Sequence, residues 1–232
     1  LAVDMGSGVI YPFEKSSPGV FQNPPIKGAI FDLDGVLVDT AKYHYLAWKR
    51  LAWELGFKFS KKDNERLKGV SRTRSLEILL ELGHCTMGAE ERETAAARKN
   101  AWYVEYLHTL DEKAMLPGAG EYLIYLRKQR VGIALGSASK NTPLILDRLN
   151  IAALFDAVID GNAVSKAKPD PEVFLQCAAA LSLPPGSCVV FEDSLAGIEA
   201  AKNGGMMAIG VGRETLLPGA DRYITSLRDM LL

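Results

Sequence analysis

Two aspartates one residue apart, Asp32 and Asp34, close the short apolar run Gly28-Ala-Ile-Phe31 and are followed at once by Gly35. A second acidic pair, Glu192 and Asp193, follows Val189-Val-Phe191 in the same way. Four carboxylates brought to one place repel one another and shift toward protonation unless a cation joins them. Hard oxygen ligands without His or Cys suit Mg²⁺, which takes one or two carboxylates and completes its octahedron with water and phosphate oxygens. Ser137 follows Ile133-Ala-Leu-Gly136, and Lys168 opens Lys168-Pro169-Asp170-Pro171. A metal plus Lys168 supplies the positive charge that a transferring phosphoryl group requires, and Ser137 with nearby backbone N–H groups completes a clamp. An aspartate can then attack phosphorus covalently.

Taken singly, each element has an ordinary reading. A D-x-D after a strand can be a loop with solvated acids, Glu192-Asp193 and Ser137 can cap the helices that follow them, and Lys168 can be a surface charge. Their recurrence is what joins them: each candidate follows an expected strand.

Those strands belong to a regular alternation. From Lys27 a buried strand ends in the acidic residues and the turn glycine. After Leu116-Pro-Gly the pattern predicts helix 119–129, strand 131–135, helix 142–149, strand 156–160, helix 171–182, strand 188–191, helix 195–204 and strand 206–211. Such β-α alternation indicates a parallel sheet covered by helices on both faces, in which ligands bind at the carboxyl ends of strands. Between Thr40 and Met115 the signals are helical: His44, Trp48, Leu51 and Leu55 share a face, Gly56 stands at a C-cap position, and two or three more helices follow, at Leu67–Lys68 leading into the turn at Gly69, at 72–82 and at 89–107. The expected fold is α/β, a doubly wound Rossmann-like parallel-sheet core of residues 27–40 and 116–232 with an inserted α-helical cap domain, 41–115. Residues 1–26, rich in Gly, Pro and Ser, read as an N-terminal arm or linker.

Composition narrows the partners. The chain has 232 residues, of which 48% are hydrophobic, and Lys+Arg 27 against Asp+Glu 28 gives a formal net charge of -1. No global field draws it to nucleic acid or an anionic membrane, so small molecules are the expected partners. Cys85, Cys177 and Cys188 contain no C-x-x-C pair and fit a reducing cytoplasm. No apolar stretch reaches the ~18 residues of a spanning helix, and Asp4 stands where a signal peptide carries positive charge. The protein is expected to be a soluble monomer of the cytoplasm.

The run Phe31-Asp-Leu-Asp-Gly-Val-Leu-Val-Asp-Thr40 resembles the first motif of the haloacid dehalogenase (HAD) superfamily, and Ser137, Lys168 and Glu192-Asp193 match its second, third and fourth. The resemblance implies that Asp32 is the nucleophile and a metal ligand, that Asp34 coordinates through its backbone carbonyl while its side chain moves protons, and that Glu192 and Asp193 complete the Mg²⁺ site. Ser137, Ala138 and Lys168 would bind the transferring phosphate. The resemblance extends through the helical insert to the sugar phosphomutase branch, on Thr40-Ala-Lys-Tyr-His44 with Trp48, Leu67-Lys-Gly69-Val-Ser-Arg72 with Ser75, Arg98-Lys99-Asn100, and Ser137-Ala-Ser-Lys140-Asn141. It implies that Arg72, Ser139, Lys140 and Asn141 hold a second phosphate, that Gly69, Val70, Ser75 and Lys99 line the sugar side, and that His44 hydrogen-bonds Asp34. The implied reaction interconverts β-glucose 1-phosphate and glucose 6-phosphate through a bound bisphosphate; a sugar-phosphate phosphatase of the same superfamily is the alternative. His44 and Trp48 can equally be core packing. Gly136 stands where the family usually has alanine, which is expected to loosen the phosphate loop.

Overall fold

The computed structural model describes residues 2–3, 10–11, 25–67 and 69–231. Ala2–Val3 (β1) pairs antiparallel with Ile10–Tyr11 (β2). The remainder of the arm before residue 25, and Lys68, lie outside the described residues. Ile26 is buried in the main core, so the packed chain begins just before the first expected strand.

A six-stranded sheet carries the fold, in the order β5-β4-β3-β6-β7-β8 and parallel throughout. Its strands are Gly28–Phe31 (β3), Gly132–Gly136 (β4), Ala157–Ile159 (β5), Cys188–Glu192 (β6), Met207–Val211 (β7) and Arg222–Ile224 (β8). The strand β3, first of the six in sequence, lies between β4 and β6, so the winding reverses on either side of it. That reversal opens a crevice at the carboxyl ends of β3, β4 and β6.

Side chains alternate across the sheet with period two. Ala29, Phe31, Ile133, Leu135, Val189 and Phe191 join one core, under helices Ala119–Lys128 (α5) and Thr142–Leu149 (α6). Phe31 and Phe191 stack there at 4.7 Å between centroids, with Tyr122 of α5 edge-on to both. Ile30, Ala134 and Val190 face the other core, covered by Glu172–Ala180 (α7) and Leu195–Asn203 (α8). The same alternation sends Asp32, Gly136 and Glu192, the next residues of that parity, toward α7.

Between β3 and α5 the chain is helical: Ala41–Glu54 (α1), Lys61–Asn64 (α2), Arg72–Gly83 (α3) and Ala89–Leu107 (α4). The helix α1 buries Ala47, Trp48, Leu51 and Ala52, and ends before Gly56, whose φ of 86° is the left-handed conformation that stops a helix. Ser71 caps α3, accepting from the Arg74 N–H at 3.2 Å. The two chain crossings into this helical cap run side by side, with Leu116 N–H donating to Leu37 O at 2.9 Å and Asp39 N–H to Ala114 O at 3.2 Å. The one-turn α2 and the edge strand β8 add to the elements expected from the sequence.

Candidate active site

The register of the sheet assembles the acidic group. Phe31 lies opposite Phe191 and Leu135, so Asp32, Glu192 and Gly136 arrive together at the rim. One oxygen from each of Asp32, Glu192 and Asp193 falls within 4.8 Å of the others. Asp193 is reached by a turn at Gly35 with φ 88°, where a Cβ would stand 2.0 Å from Asp193 Oδ2; only glycine gives both that backbone and that clearance.

Lys168 lies in the middle of this group. Its Nζ donates to Asp32 Oδ1 and Glu192 Oε1, both at 2.6 Å, and to Gly136 O at 3.2 Å, and it rests 4.6 Å above the Phe174 ring of α7. The lysine is 3% exposed. Burial works against its charge, yet the two carboxylates outweigh this and hold its pKa above the usual lysine range. Burial also raises Asp32, to about 6; Lys168 opposes that rise and Glu192 adds to it. The other Glu192 oxygen, Oε2, accepts from Ser194 N–H at 2.8 Å and Ser194 Oγ–H at 2.9 Å. Both Glu192 oxygens are thus committed, which makes it the residue that fixes Lys168.

Gly136 does not loosen this region. A Cβ on it would lie 2.9 Å from Phe174 Cδ1 and 3.2 Å from Cys177 Sγ, so its bareness admits the ring on which Lys168 sits. The loop after it is held by its own hydroxyls. Ser137 Oγ accepts from Ser139 N–H at 3.1 Å, Ser139 Oγ from Asn141 N–H at 3.2 Å, and Thr142 Oγ1–H donates to Ser139 O at 2.9 Å.

Asp34 is raised to about 8, by burial first and by Asp32 second, against the pull of Lys168 and Lys99. Its Oδ1 is buried without a hydrogen-bond partner. His44 is held by Lys99, whose Nζ is 2.9 Å from Nδ1, and stacks on Tyr103 at 3.9 Å; among the described residues no hydrogen bond joins it to Asp34 as expected. The reason is the packing of α1 on α4, which brings Lys99 alongside the ring. Burial, then Lys99 and Arg72, lower the His44 pKa well below its usual value. Burial, then Arg72, likewise lower the Lys99 pKa well below the usual lysine range, so burial and like charge work against a second cation on either member of this pair. Lys99 lies 4.4 Å from the Trp48 ring and 4.8 Å from that of Tyr103.

Core and cap enclose one cleft of about 630 Å³. It is lined by Asp32, Asp34, Ser137, Ala138, Ser139, Lys140, Asn141, Lys168 and Asp193 from the core, and by His44, Trp48, Gly69, Val70, Arg72, Ser75 and Lys99 from the cap. Glu192 stands behind this wall, fully buried. Asn64 and Asn100 also line the cleft, and Ser194 supports it. Of these three only Asn100 stood inside a motif, Arg98-Lys99-Asn100; a polar residue in a one-turn helix or at a helix cap gives no periodic signal.

Arg148 of α6 ties the end of the cap to the core, donating to Leu110 O at 3.2 Å and His108 O at 2.9 Å, and two further contacts lie beside the cleft. Asn141 Nδ2–H donates to Asn100 Oδ1 at 2.8 Å. Gly69, with φ 71°, lies so near Ser194 that a Cβ would stand 2.2 Å from its Oγ. Gly69→Ala is expected to lower kcat/KM by roughly ten- to a hundredfold, because the misfit holds the cap off the core. Steady-state kinetics beside a melting curve would check this: unchanged kinetics, or a loss matched by general unfolding, would remove the contact from the closure of the site.

This geometry has relatives. The family model for haloacid dehalogenase-like hydrolases matches residues 26–205. The chain belongs to that family. Within the HAD family it is 43% identical to the β-phosphoglucomutase of Bacillus subtilis, over 89% of this chain and 92% of that one. Its fold matches the crystal structure of β-phosphoglucomutase from Clostridium difficile with a TM-score of 0.85 and 39% identity, covering 88% of this chain and 93% of the other. A phosphorylated carbohydrates phosphatase of Thermotoga maritima is 32% identical over 79% of this chain and 84% of that protein.

Proposed function

We propose that this HAD-family chain is a β-phosphoglucomutase, interconverting β-D-glucose 1-phosphate and D-glucose 6-phosphate through an aspartyl-phosphate enzyme and a bound glucose 1,6-bisphosphate. The observation that carries this reading is the cation content of the cleft. Besides Lys168, which is bound to Asp32, the cleft is lined by Arg72 of the cap and by Lys140 of the loop after β4. A phosphatase has to grip one phosphate; an enzyme that returns a phosphoryl group to the other end of its substrate has to grip two. We take the helical segment 41–115 as the cap, 27–40 with 116–232 as the catalytic core, and 1–26 as an arm.

In the proposed reaction an Asp32 oxygen attacks phosphorus, the bond to the sugar oxygen breaks, and Asp34 gives that oxygen its proton. In the reverse sense Asp34 takes the proton from a sugar hydroxyl as that oxygen attacks the phosphorus on Asp32. A carboxyl raised to about 8 still holds a proton at neutral pH, which suits the acid role. Lys168 screens the negative charge of Asp32 and, with the Ser137 hydroxyl and the Ala138 N–H, binds the transferring phosphate; the Ser137 N–H is committed to Ile159 O at 3.0 Å. Arg72, Ser139, Lys140 and Asn141 hold the far phosphate, while His44, Trp48, Gly69, Val70, Ser75 and Lys99 surround the sugar. Cap closure excludes water, the competing acceptor.

The acidic group fits a divalent ion of the hard, oxygen-preferring kind. Asp32, Asp193 and the Asp34 carbonyl would hold Mg²⁺, with Glu192 beside them. When bound, the ion supplies charge neutralisation at the phosphoryl oxygens. Free thiols at Cys85, Cys177 and Cys188 and phosphorylated sugar substrates fit a cytoplasmic enzyme; no helix among the described residues is long and apolar enough to cross a membrane.

Metal and pH are linked with a definite sign. Asp32 and Asp34 keep their protons to higher pH folded than unfolded. Their contribution to stability is complete below about pH 4 and is lost as pH rises through about 6 for Asp32 and about 8 for Asp34. A bound cation favours the ionised forms and offsets that loss. The rise in melting temperature on adding Mg²⁺ is therefore expected to grow between about pH 5 and pH 8. Calorimetry across that range checks it, and a shift that shrinks with pH would contradict metal binding at these carboxylates.

The function itself is tested by phosphorus NMR of the protein with β-glucose 1-phosphate, Mg²⁺ and a trace of glucose 1,6-bisphosphate. Glucose 6-phosphate is the expected product. Steady release of inorganic phosphate without it would return the chain to the phosphatase reading.

A further inference from the structure

Asn64 is a polar residue without an evident task. It ends α2, where its backbone N–H donates to Ser60 O at 3.2 Å, and that turn is locked by Ser60 and Asp63, each capping the other. Its position is therefore well fixed. Its side chain is 7% exposed, it lines the cleft beside Leu67 and Gly69, and its Oδ1 is buried with no hydrogen-bond partner. Leaving a buried amide oxygen unpaired costs about 1–3 kcal/mol, and folded proteins retain few such groups. Exchanging oxygen and nitrogen in the carboxamide does not remove the problem, since an unpaired donor would then occupy the same place.

The chemistry of the group says what would satisfy it. Phosphate calls for cations, and the cleft already offers Arg72, Lys140 and Lys168. A neutral carboxamide, with one acceptor oxygen and two donor hydrogens, instead matches a hydroxyl, which both donates and accepts. The other two asparagines of the cleft, Asn100 and Asn141, are bonded to each other. Asn64 thus combines an unmet hydrogen-bonding capacity with a fixed place in the wall.

We propose that the Asn64 carboxamide recognises one ring hydroxyl of the bound sugar phosphate and so helps determine which sugars the cleft accepts. The proposal rests on the sugar-phosphate reading above, though it needs binding alone and not the mutase outcome.

Calorimetric titration tests it. Glucose 6-phosphate and its 2-deoxy, 3-deoxy and 4-deoxy analogues are titrated into the wild-type chain, Asn64→Ala and Asn64→Ser, with inorganic phosphate as the control. In the wild type, one analogue is expected to bind roughly ten- to a hundredfold more weakly than the parent, the value of one hydrogen bond to an otherwise unpaired group. In both variants that penalty should disappear while the other analogues keep theirs and inorganic phosphate binds as before. A purely structural Asn64 would weaken every ligand alike. Identical penalties in wild type and variants for all three analogues overturn the proposal, and the serine variant supplies the comparison should the alanine variant fail to fold. Failure of the mutase reading shows separately, as phosphate release in the NMR experiment, and leaves this hydroxyl signature readable.

Discussion

Asp32→Asn is expected to abolish turnover, by at least ~10⁴-fold, while leaving the chain as stable as before or more so. An amide oxygen cannot serve as the phosphorus nucleophile, and the neighbouring Glu192 cannot replace it, since both its oxygens are bound, one to Lys168 and one to Ser194. The fold should not suffer, because the asparagine Oδ1 can still accept from Lys168 where Asp32 Oδ1 does at 2.6 Å. Removing a carboxylate whose pKa is raised by burial and by Glu192 also relieves a repulsion in the metal-free protein at alkaline pH. Turnover by phosphorus NMR and a urea titration of the same preparation give both readings. Residual activity within tenfold of wild type would sink the assignment of Asp32; lost activity with lost stability would leave it unsupported.

Lys168→Met should damage fold and function together. The replacement fills a similar volume but leaves Asp32 and Glu192 facing each other without the cation that now bridges them. Breaking a buried pair by removing one partner costs about 3–5 kcal/mol, and the contact with Phe174 is lost as well. The destabilisation should ease when Glu192→Gln is added, since the second carboxylate is then gone. That recovery distinguishes a charge effect from poor packing. If the double variant is no more stable than the single one, Lys168 is not held there by its carboxylates.

The parts of this site legible in the sequence were those tied to strand ends. Asp32, Ser137, Glu192 and Asp193 each follow a run apolar enough to mark a buried strand, and the β-α alternation placed those ends together. The helices 72–82 and 89–107 were readable from caps and spacing to within a residue. The edge strand Arg222–Ile224 was not, because three residues with one fully buried side chain carry no alternation to detect. The turn Lys61–Asn64 is polar throughout and silent for the same reason. Pairwise contacts between distant residues were beyond any local pattern: the bridge that Lys168 makes between Asp32 and Glu192 had no signal in the sequence, and His44, expected on Asp34, is bonded to Lys99. Gly136 looked like a loosening and is a fit against Phe174.

The place of β3 in the sheet bears on how the chain comes to be folded. Its partners, beginning at Gly132 and Cys188, are synthesised long after it, so the earliest sheet segment waits with both edges bare while the helices between form on their own. A nascent or truncated chain ending before Cys188 can pair β3 with β4 but leaves the other edge of Ala29, Ile30 and Phe31 open to neighbouring molecules. Efficient production in the cell should therefore depend on chaperone cover during elongation, and fragments ending before Cys188 should accumulate as aggregates.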